Sequence, residues 1–175
     1  MVRERTSFFR TQRLPSAFAC LAEICWIASK MDSSEFDTID TLVFGGGGVR
    51  GVAYLGALLA IRDRFDKDLT NAPHLTCFAG SSIGALVALM FTCGWTLEEM
   101  RQFSETTNFE NLLFDVDILQ AGLLGLQDGS ILRGLVTAVL QAKGIPLDIT
   151  FDGLYKLFPK KLVVTVSDLT CVGIQ

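Results

Sequence analysis

The chain has 175 residues, enough for one domain with a sizeable core, and half of its residues are hydrophobic. Its formal net charge is −4; residues 1–30 carry five basic and two acidic side chains, a net of +3, which leaves −7 for residues 31–175. An acidic body argues against nucleic acid as a partner, because phosphate contacts need clustered Lys and Arg.

The first 37 residues are expected to form a disordered leader ahead of a single domain over residues 38–175. Four arginines and an apolar piece from Ala17 to Ala28 leave three interpretations open: an organellar targeting peptide, a secretory signal, or a disordered leader before an internal start at Met31. We favour the disordered leader, because the acidic Glu4 and Glu23 are atypical of both targeting patterns.

A glycine loop follows the first predicted strand. The strand spans Thr38 to Phe44, the loop spans Gly45 to Gly51, and apolar residues at helical spacing predict a helix from Val52 to Phe65. Glycines let the backbone approach a ligand closely, and the N–H groups of such a loop can bind an anion. The pattern predicts an anion-binding loop at the end of a strand.

The same loop satisfies the dinucleotide-binding pattern G-x-G-x-x-G from Gly46 to Gly51. A dinucleotide site requires an Asp or Glu at the end of the next strand, to hold the ribose hydroxyls. The next predicted strand, Leu75 to Ala79, ends in Gly-Ser-Ser instead. We therefore interpret the loop as an oxyanion hole and keep dinucleotide binding as the less favoured alternative.

The strand from Leu75 to Ala79 leads into a match to G-x-S-x-G, the pattern of a serine on a sharp turn between a strand and a helix. The serine in such a turn adopts a sparsely populated backbone conformation, and glycines two positions away avoid steric clashes. The helix that follows directs its N-terminal N–H groups toward charge that forms at the serine. The predicted nucleophile elbow consists of Gly80, Ser81, Ser82, Ile83 and Gly84, with Ser82 as the nucleophile.

His74, the one histidine of the chain, precedes Ser82 by eight residues and starts the same strand. Hydrolase triads with this kind of elbow place the histidine after the nucleophile. His74 is therefore expected at the far end of the strand, and a general base for Ser82 has to be a carboxylate.

Further elements are predicted downstream. Thr96 to Glu99 has the pattern of a capping box that starts a helix. The leucine-rich segment from Asn108 to Leu126 is interpreted either as buried packing or as a lid or acyl-chain surface.

Two more helices and a strand are predicted after that segment. Ser130 is predicted to cap a helix from Ile131 to Lys143, and Thr150 a short helix from about Phe151 to Leu157. The β-branched run from Lys161 to Ser167 predicts a buried parallel strand.

The glycine loop, the elbow about thirty residues later and the segments around Asp128-Gly129, Thr150 to Leu154 and Val166 to Leu169 together resemble the patatin-like phospholipase family of lipid acyl hydrolases. The resemblance implies a three-layer α/β/α domain with a mostly parallel sheet. It also implies a catalytic dyad of serine and aspartate without histidine, in which Ser82 is the nucleophile. The oxyanion hole that it implies comprises Gly46, Gly47, Gly48, Val49, Arg50 and Gly51.

The resemblance places the dyad aspartate beyond the strand that ends near Asp168. Asp128 and Asp152 match earlier family segments and are interpreted as carboxylates at helix starts. We therefore expect a lipid acyl hydrolase that lacks the dyad aspartate and its last strand or two, with impaired activity. A non-catalytic lipid-binding or regulatory fragment is the alternative.

The expected partner is a lipid or phospholipid, with peripheral contact to a membrane. No run reaches the roughly 18 to 20 apolar residues of a membrane-spanning helix. The five cysteines are an odd number without metal-ligand spacing, which suits a reducing compartment. We expect no metal and no cofactor, and a cytoplasmic or peripheral-membrane location.

Overall fold

A computed structural model describes residues 33–47, 51–65, 69–107 and 129–167. Helices and strands alternate from residue 33 to residue 92, and three further described helices precede the last described strand. The elements are α1 (Ser33–Phe36), β1 (Thr41–Phe44), α2 (Val52–Phe65), β2 (Cys77–Gly80), α3 (Ile83–Thr92), α4 (Leu97–Thr106), α5 (Ser130–Ala142), α6 (Phe151–Leu157) and β3 (Lys161–Val164). None of these helices is long and apolar enough to cross a membrane.

The three strands form a parallel sheet in the order β1-β2-β3. Phe44 pairs with Gly80, and Gly80 pairs with Val164, so the carboxyl ends of all three strands lie at the same edge. The mixed helices and the parallel sheet confirm the predicted α/β class.

Helix α3 packs across one face of the sheet and forms the centre of the core. The ring of Phe91 stacks on Phe78 with centroids 5.1 Å apart and on Phe44 at 5.6 Å, and Phe78 and Phe91 are fully buried. Because side chains alternate along a strand, Val43 points to the opposite face, where it is exposed. The aromatic stack fixes α3 over β1 and β2, the two strands that carry the glycine motifs.

The packed part of the chain includes Phe36, which the sequence analysis placed in the leader. Its ring stacks on Phe65 at the end of α2 and makes an edge contact with His74. Phe36 is buried, so α1 belongs to the core of the described domain. Residues 1–32 lie outside the description.

Two of the predicted helix caps are confirmed and one is wrong. The Thr96 hydroxyl accepts from the Glu99 N–H while the Glu99 carboxylate accepts from the Thr96 N–H, and the Thr150 hydroxyl accepts from the Gly153 N–H. Ser130 is the first residue of α5 rather than its cap. Gly129 precedes it with a φ of 78°, a left-handed conformation that suits glycine and turns the chain into the helix.

Replacing Phe78 by Ala should lower the free energy of unfolding by about 3–5 kcal/mol, because it empties the centre of the aromatic stack. Urea unfolding monitored by circular dichroism measures the change. Val43→Ala on the exposed face of the same sheet is the control, with an expected change within about 0.5 kcal/mol. Equal effects of the two substitutions would contradict this description of the core.

Candidate active site

The glycine loop and the elbow lie side by side at the carboxyl edge of the sheet. The Ser81 N–H donates to the Phe44 carbonyl over 3.1 Å, which joins the turn after β2 to the end of β1. A Cβ built on Gly46 would lie 3.5 Å from the Cβ of Ser82. The backbone of the loop therefore lies beside Ser82, and a side chain at Gly46 would fill the space between the loop and the serine.

Ser82 has a strained backbone. Its φ is 52° and its ψ is −126°, and no other non-glycine residue in the described ranges has a positive φ. Such a conformation costs on the order of 1–3 kcal/mol, and it persists only where the surrounding structure enforces it. Ser82 is exposed, directly before the first turn of α3.

Two positions of the elbow require glycine, because backbone atoms lie where a Cβ would be. A Cβ on Gly80 would lie 2.2 Å from the Gly84 carbonyl oxygen, and a Cβ on Gly84 would lie 2.3 Å from the Phe44 carbonyl oxygen. Both distances are far shorter than a van der Waals contact. The carbonyl groups belong to the backbone and cannot rotate away. β1, the end of β2 and the start of α3 therefore meet at a separation that only glycine permits.

The positions of the predicted oxyanion residues differ in how far the structure describes them. Gly46 and Gly47 come after Gly45, the first residue beyond β1. Gly51 lies against the Ile83 side chain, where an added Cβ would be 2.4 Å from an Ile83 carbon. The Tyr54 hydroxyl donates to the Gly45 carbonyl over 2.8 Å and so ties the loop to α2. Gly48, Val49 and Arg50 lie outside the described residues.

A cavity of about 400 Å³ opens beside Ser82. Its lining side chains come from α3, α5, α6, β3 and the turns next to them, and none of them is charged. They are Ser82, Ala85, Leu86, Leu89, Leu132, Val136, Leu140, Ile149, Thr150, Phe151, Leu154, Leu162, Val164, Thr165 and Val166.

A partly buried ion pair connects α5, the wall of the cavity that faces α3, to α4. The Lys143 ammonium, just after α5, lies 2.7 Å from the Glu99 carboxylate of α4 and over the Trp95 ring. The hydrogen bond from Lys143 lowers the pKa of Glu99, and the Thr96 cap lowers it further. Glu99 therefore stays ionised while it serves both the capping box and the contact between the helices.

The titratable groups that the sequence singled out and that the structure describes, His74 and Asp152, do not line this cavity. His74 lies before β2, at the end of the strand opposite Ser82, with its ring against Phe36 and its Nδ1 3.9 Å from an Asp37 oxygen. The Asp152 carboxylate lies in the first turn of α6 and pairs with Lys156 over 2.6 Å. Asp128 and Asp168 lie outside the described residues.

No group of three or more His, Cys, Asp or Glu side chains that could hold a metal occurs in the described ranges. Of the two cysteines described there, Cys93 is buried, and this burial raises the pKa of its thiol to about 11. A thiol in that state is a poor nucleophile. Among the described nucleophilic side chains, Ser82 is the one in a strained, exposed position beside a cavity.

Sequence reasoning missed the residues that form the far wall of the cavity. Leu132, Val136 and Leu140 recur every four residues, so they lie on one face of α5. The spacing indicates an amphipathic helix, but it does not indicate that this face meets Ser82. That pairing follows from tertiary packing between segments about fifty residues apart.

Gly84→Ala should lower the free energy of unfolding by about 1–3 kcal/mol, because its methyl group would press on the Phe44 carbonyl. Gly134→Ala in α5 is the matched control: a Cβ there meets nothing within 4 Å, and replacing a helical glycine should raise stability by about 0.5–1 kcal/mol. Urea midpoints measure both changes. A neutral or stabilising Gly84→Ala would contradict the close approach of β1 and α3.

Comparison with known proteins places the sequence in a family. The family model for patatin-like phospholipase matches residues 42–161. A probable lipid hydrolase of Invertebrate iridescent virus 6 is 29% identical over 136 residues, which cover 74% of this chain and 43% of the viral protein. An uncharacterised Bacillus subtilis protein, YqhO, is 31% identical over 141 residues, which cover 73% of this chain and 43% of the bacterial one.

The matched region thus spans less than half the length of each relative. No solved structure matches the chain. The family match includes both glycine motifs, all of β2 and all but the first residue of β1, and it ends at the first residue of β3. The chain belongs to the patatin-like phospholipase family.

Proposed function

We propose that the protein hydrolyses carboxylic esters of lipids through an acyl-enzyme formed on Ser82. The observation that carries the proposal is the strained Ser82 backbone at the mouth of an uncharged cavity, beside a glycine loop. Strain of this kind concentrates at functional sites, because it holds a side chain where an unstrained backbone would not. Family membership and the viral lipid hydrolase support the same class of reaction.

In the proposed reaction the Ser82 hydroxyl oxygen attacks the ester carbonyl carbon and loses its proton to a base. The negative charge that forms on the carbonyl oxygen is held by backbone N–H groups of the loop from Gly46 to Gly51. In elbows of this type the N–H of the residue after the serine is a further donor, here that of Ile83. Collapse of the intermediate expels the alcohol, and water then releases the fatty acid.

A carboxylate is the proposed base, since the one histidine lies at the other end of β2. A serine hydroxyl near its free pKa attacks slowly, and a positioned base contributes about 10² to 10⁴ in rate. None of the described residues that line the cavity is a carboxylate. The base is therefore sought among Asp128, Asp168 and residues of a longer form of the protein.

A fluorophosphonate probe should label Ser82, and Ser82→Ala should abolish the label. Ser81→Ala is the matched control, because it removes a neighbouring hydroxyl of the same turn and should leave labelling intact. Mass spectrometry of the labelled peptide reads the result. If Ser82 remains unlabelled both in residues 1–175 and in a longer form that contains the dyad aspartate, the proposal is wrong.

Turnover of a short-chain nitrophenyl ester by residues 1–175 should stay close to that of the Ser82→Ala blank, because none of the described residues that line the cavity is a carboxylate and an oxyanion hole without a base gives little catalysis. A longer form that supplies the aspartate should be faster by about 10² to 10⁴.

Turnover of residues 1–175 well above the blank would contradict this expectation. Asp128→Asn and Asp168→Asn would then identify the base. Lipid binding without turnover in either form, unchanged by Ser82→Ala, would instead favour a non-catalytic lipid-binding protein.

A further inference from the structure

A glycine-rich loop cannot fix its own conformation. Five of the seven residues from Gly45 to Gly51 are glycine. Glycine populates left-handed and right-handed backbone conformations about equally, so a loop of this composition has many accessible conformations. Hydrogen-bond donors stabilise a developing negative charge best when they are held in place before the reaction begins. A loop that serves as an oxyanion hole therefore needs contacts from outside the loop to hold it.

Tyr54, in the first turn of α2, makes such a contact. Its hydroxyl donates over 2.8 Å to the Gly45 carbonyl, nine residues earlier in the chain. This hydrogen bond joins the first residue of the loop to the helix that follows the loop, so it closes the loop at its base. Because the peptide unit is planar and trans, holding the Gly45 carbonyl also directs the Gly46 N–H to the opposite side, away from Tyr54.

The Gly45 carbonyl also lies against the start of α3. A Cβ built on Gly84 would lie 2.5 Å from the Gly45 oxygen, and a Cβ built on Gly45 would lie 3.3 Å from the Tyr54 oxygen. The carbonyl is therefore confined between the Tyr54 hydroxyl and the first turn of α3. Gly46 starts from this fixed peptide unit, and a Cβ there would lie 3.5 Å from the Cβ of Ser82.

The other end of the loop packs on the elbow. Gly51 is buried against the side chain of Ile83, the first residue of α3. The Ile83 N–H is the further donor in the proposed reaction. The loop is thus held at both ends, at Gly45 by the Tyr54 hydroxyl and at Gly51 by the Ile83 side chain.

The ring of Tyr54 is held separately from its hydroxyl. The ring makes an edge contact with the Phe44 ring, with centroids 5.6 Å apart, and Phe44 stacks on Phe91 in the core. A phenylalanine at position 54 would keep these ring contacts and lose the hydrogen bond to Gly45. The contribution of the hydroxyl can therefore be measured apart from that of the ring.

We propose that Tyr54 is a positioning residue: its hydroxyl holds the glycine loop in the conformation that binds the negative charge formed at the ester carbonyl. The inference rests on the proposed function for the identity of that charge. Tyr54 acts through the Gly45 carbonyl, so its hydroxyl should affect the rate of the reaction at Ser82 and leave the binding of the substrate unchanged.

The rate of fluorophosphonate labelling at increasing probe concentration tests this role, in whichever form of the protein labels Ser82. Tyr54→Phe should lower the maximal rate about tenfold, less than the 10² to 10³ lost when an oxyanion donor is removed outright, because the donors remain and only their position is loosened. The probe concentration that gives half the maximal rate should not change. A side chain that served the fold alone would not separate these two quantities.

Tyr155→Phe is the matched control, because it removes the hydroxyl of a 54% exposed tyrosine on α6 that does not line the cavity. Its labelling rate should equal that of the unsubstituted chain. A maximal rate in Tyr54→Phe equal to that of the unsubstituted chain, or equal losses in the two variants, would overturn the inference. A urea midpoint lowered in Tyr54→Phe as far as in Phe78→Ala would also overturn it, since Tyr54 would then act through the stability of the core.

Nuclear magnetic resonance tests the hold on the loop without requiring the reaction. Nitrogen-15 relaxation of residues 1–175 with labelled glycine should give order parameters of about 0.85 at Gly46 and Gly47, falling toward about 0.6 in Tyr54→Phe. Gly84, within α3, should keep its value in both chains. Unchanged order parameters at Gly46 and Gly47 in Tyr54→Phe would contradict the hold.

The two proposals fail separately. A loop that loses order in Tyr54→Phe, in a protein whose Ser82 is never labelled, would refute the esterase and retain Tyr54 as the residue that orders the loop. A labelled Ser82 whose rate does not depend on the Tyr54 hydroxyl would retain the esterase and refute the positioning role.

Discussion

The site depends on the close approach of three backbone segments: the end of β1, the end of β2 and the start of α3. The Phe44 carbonyl accepts from the Ser81 N–H and lies in the space that a side chain on Gly84 would need. The Gly84 carbonyl in turn occupies the space that a side chain on Gly80 would need. These contacts leave Ser82 a positive φ and direct it out of the sheet. Phe44 and Phe78, in the two strands that meet at the turn, stack with Phe91 of α3, so the core of the domain holds the segments that enforce the strained conformation.

The same arrangement explains why a hydrocarbon cavity begins at the serine. α3 starts at the elbow and then runs inward across the sheet, so its apolar face descends from Ser82. α5 faces it and is held by the ion pair between Glu99 and Lys143, which connects the end of α5 to the start of α4. An exposed serine hydroxyl and an apolar cavity beside it are thus two consequences of one turn.

The sequence was sufficient to predict the parts of the site that are local. Gly80 and Gly84 identify the turn because no other residue fits there, and parallel strands bring the glycine loop beside it. The sequence predicted the ends of the strands less well. The run to Ser167 suggested a longer strand, but β3 ends at Val164, since Thr165 donates the last bond to Gly80, where β2 itself ends. The cavity wall on α5 depends on tertiary packing, which a single sequence does not reveal.

A crystal structure of a longer form that supplies the dyad aspartate, after reaction with a decyl fluorophosphonate, would test the account most directly, because it observes the serine, the loop and the cavity together. Fluoride leaves as the serine oxygen bonds to phosphorus. The account predicts phosphorus bonded to the Ser82 oxygen, a positive φ at Ser82 and a phosphonate oxygen facing the N–H groups of the glycine loop. It also predicts the alkyl chain between α3 and α5, with its end near Leu140. An adduct on another residue, or a Ser82 with an ordinary helical φ and the alkyl chain outside the cavity, would contradict it.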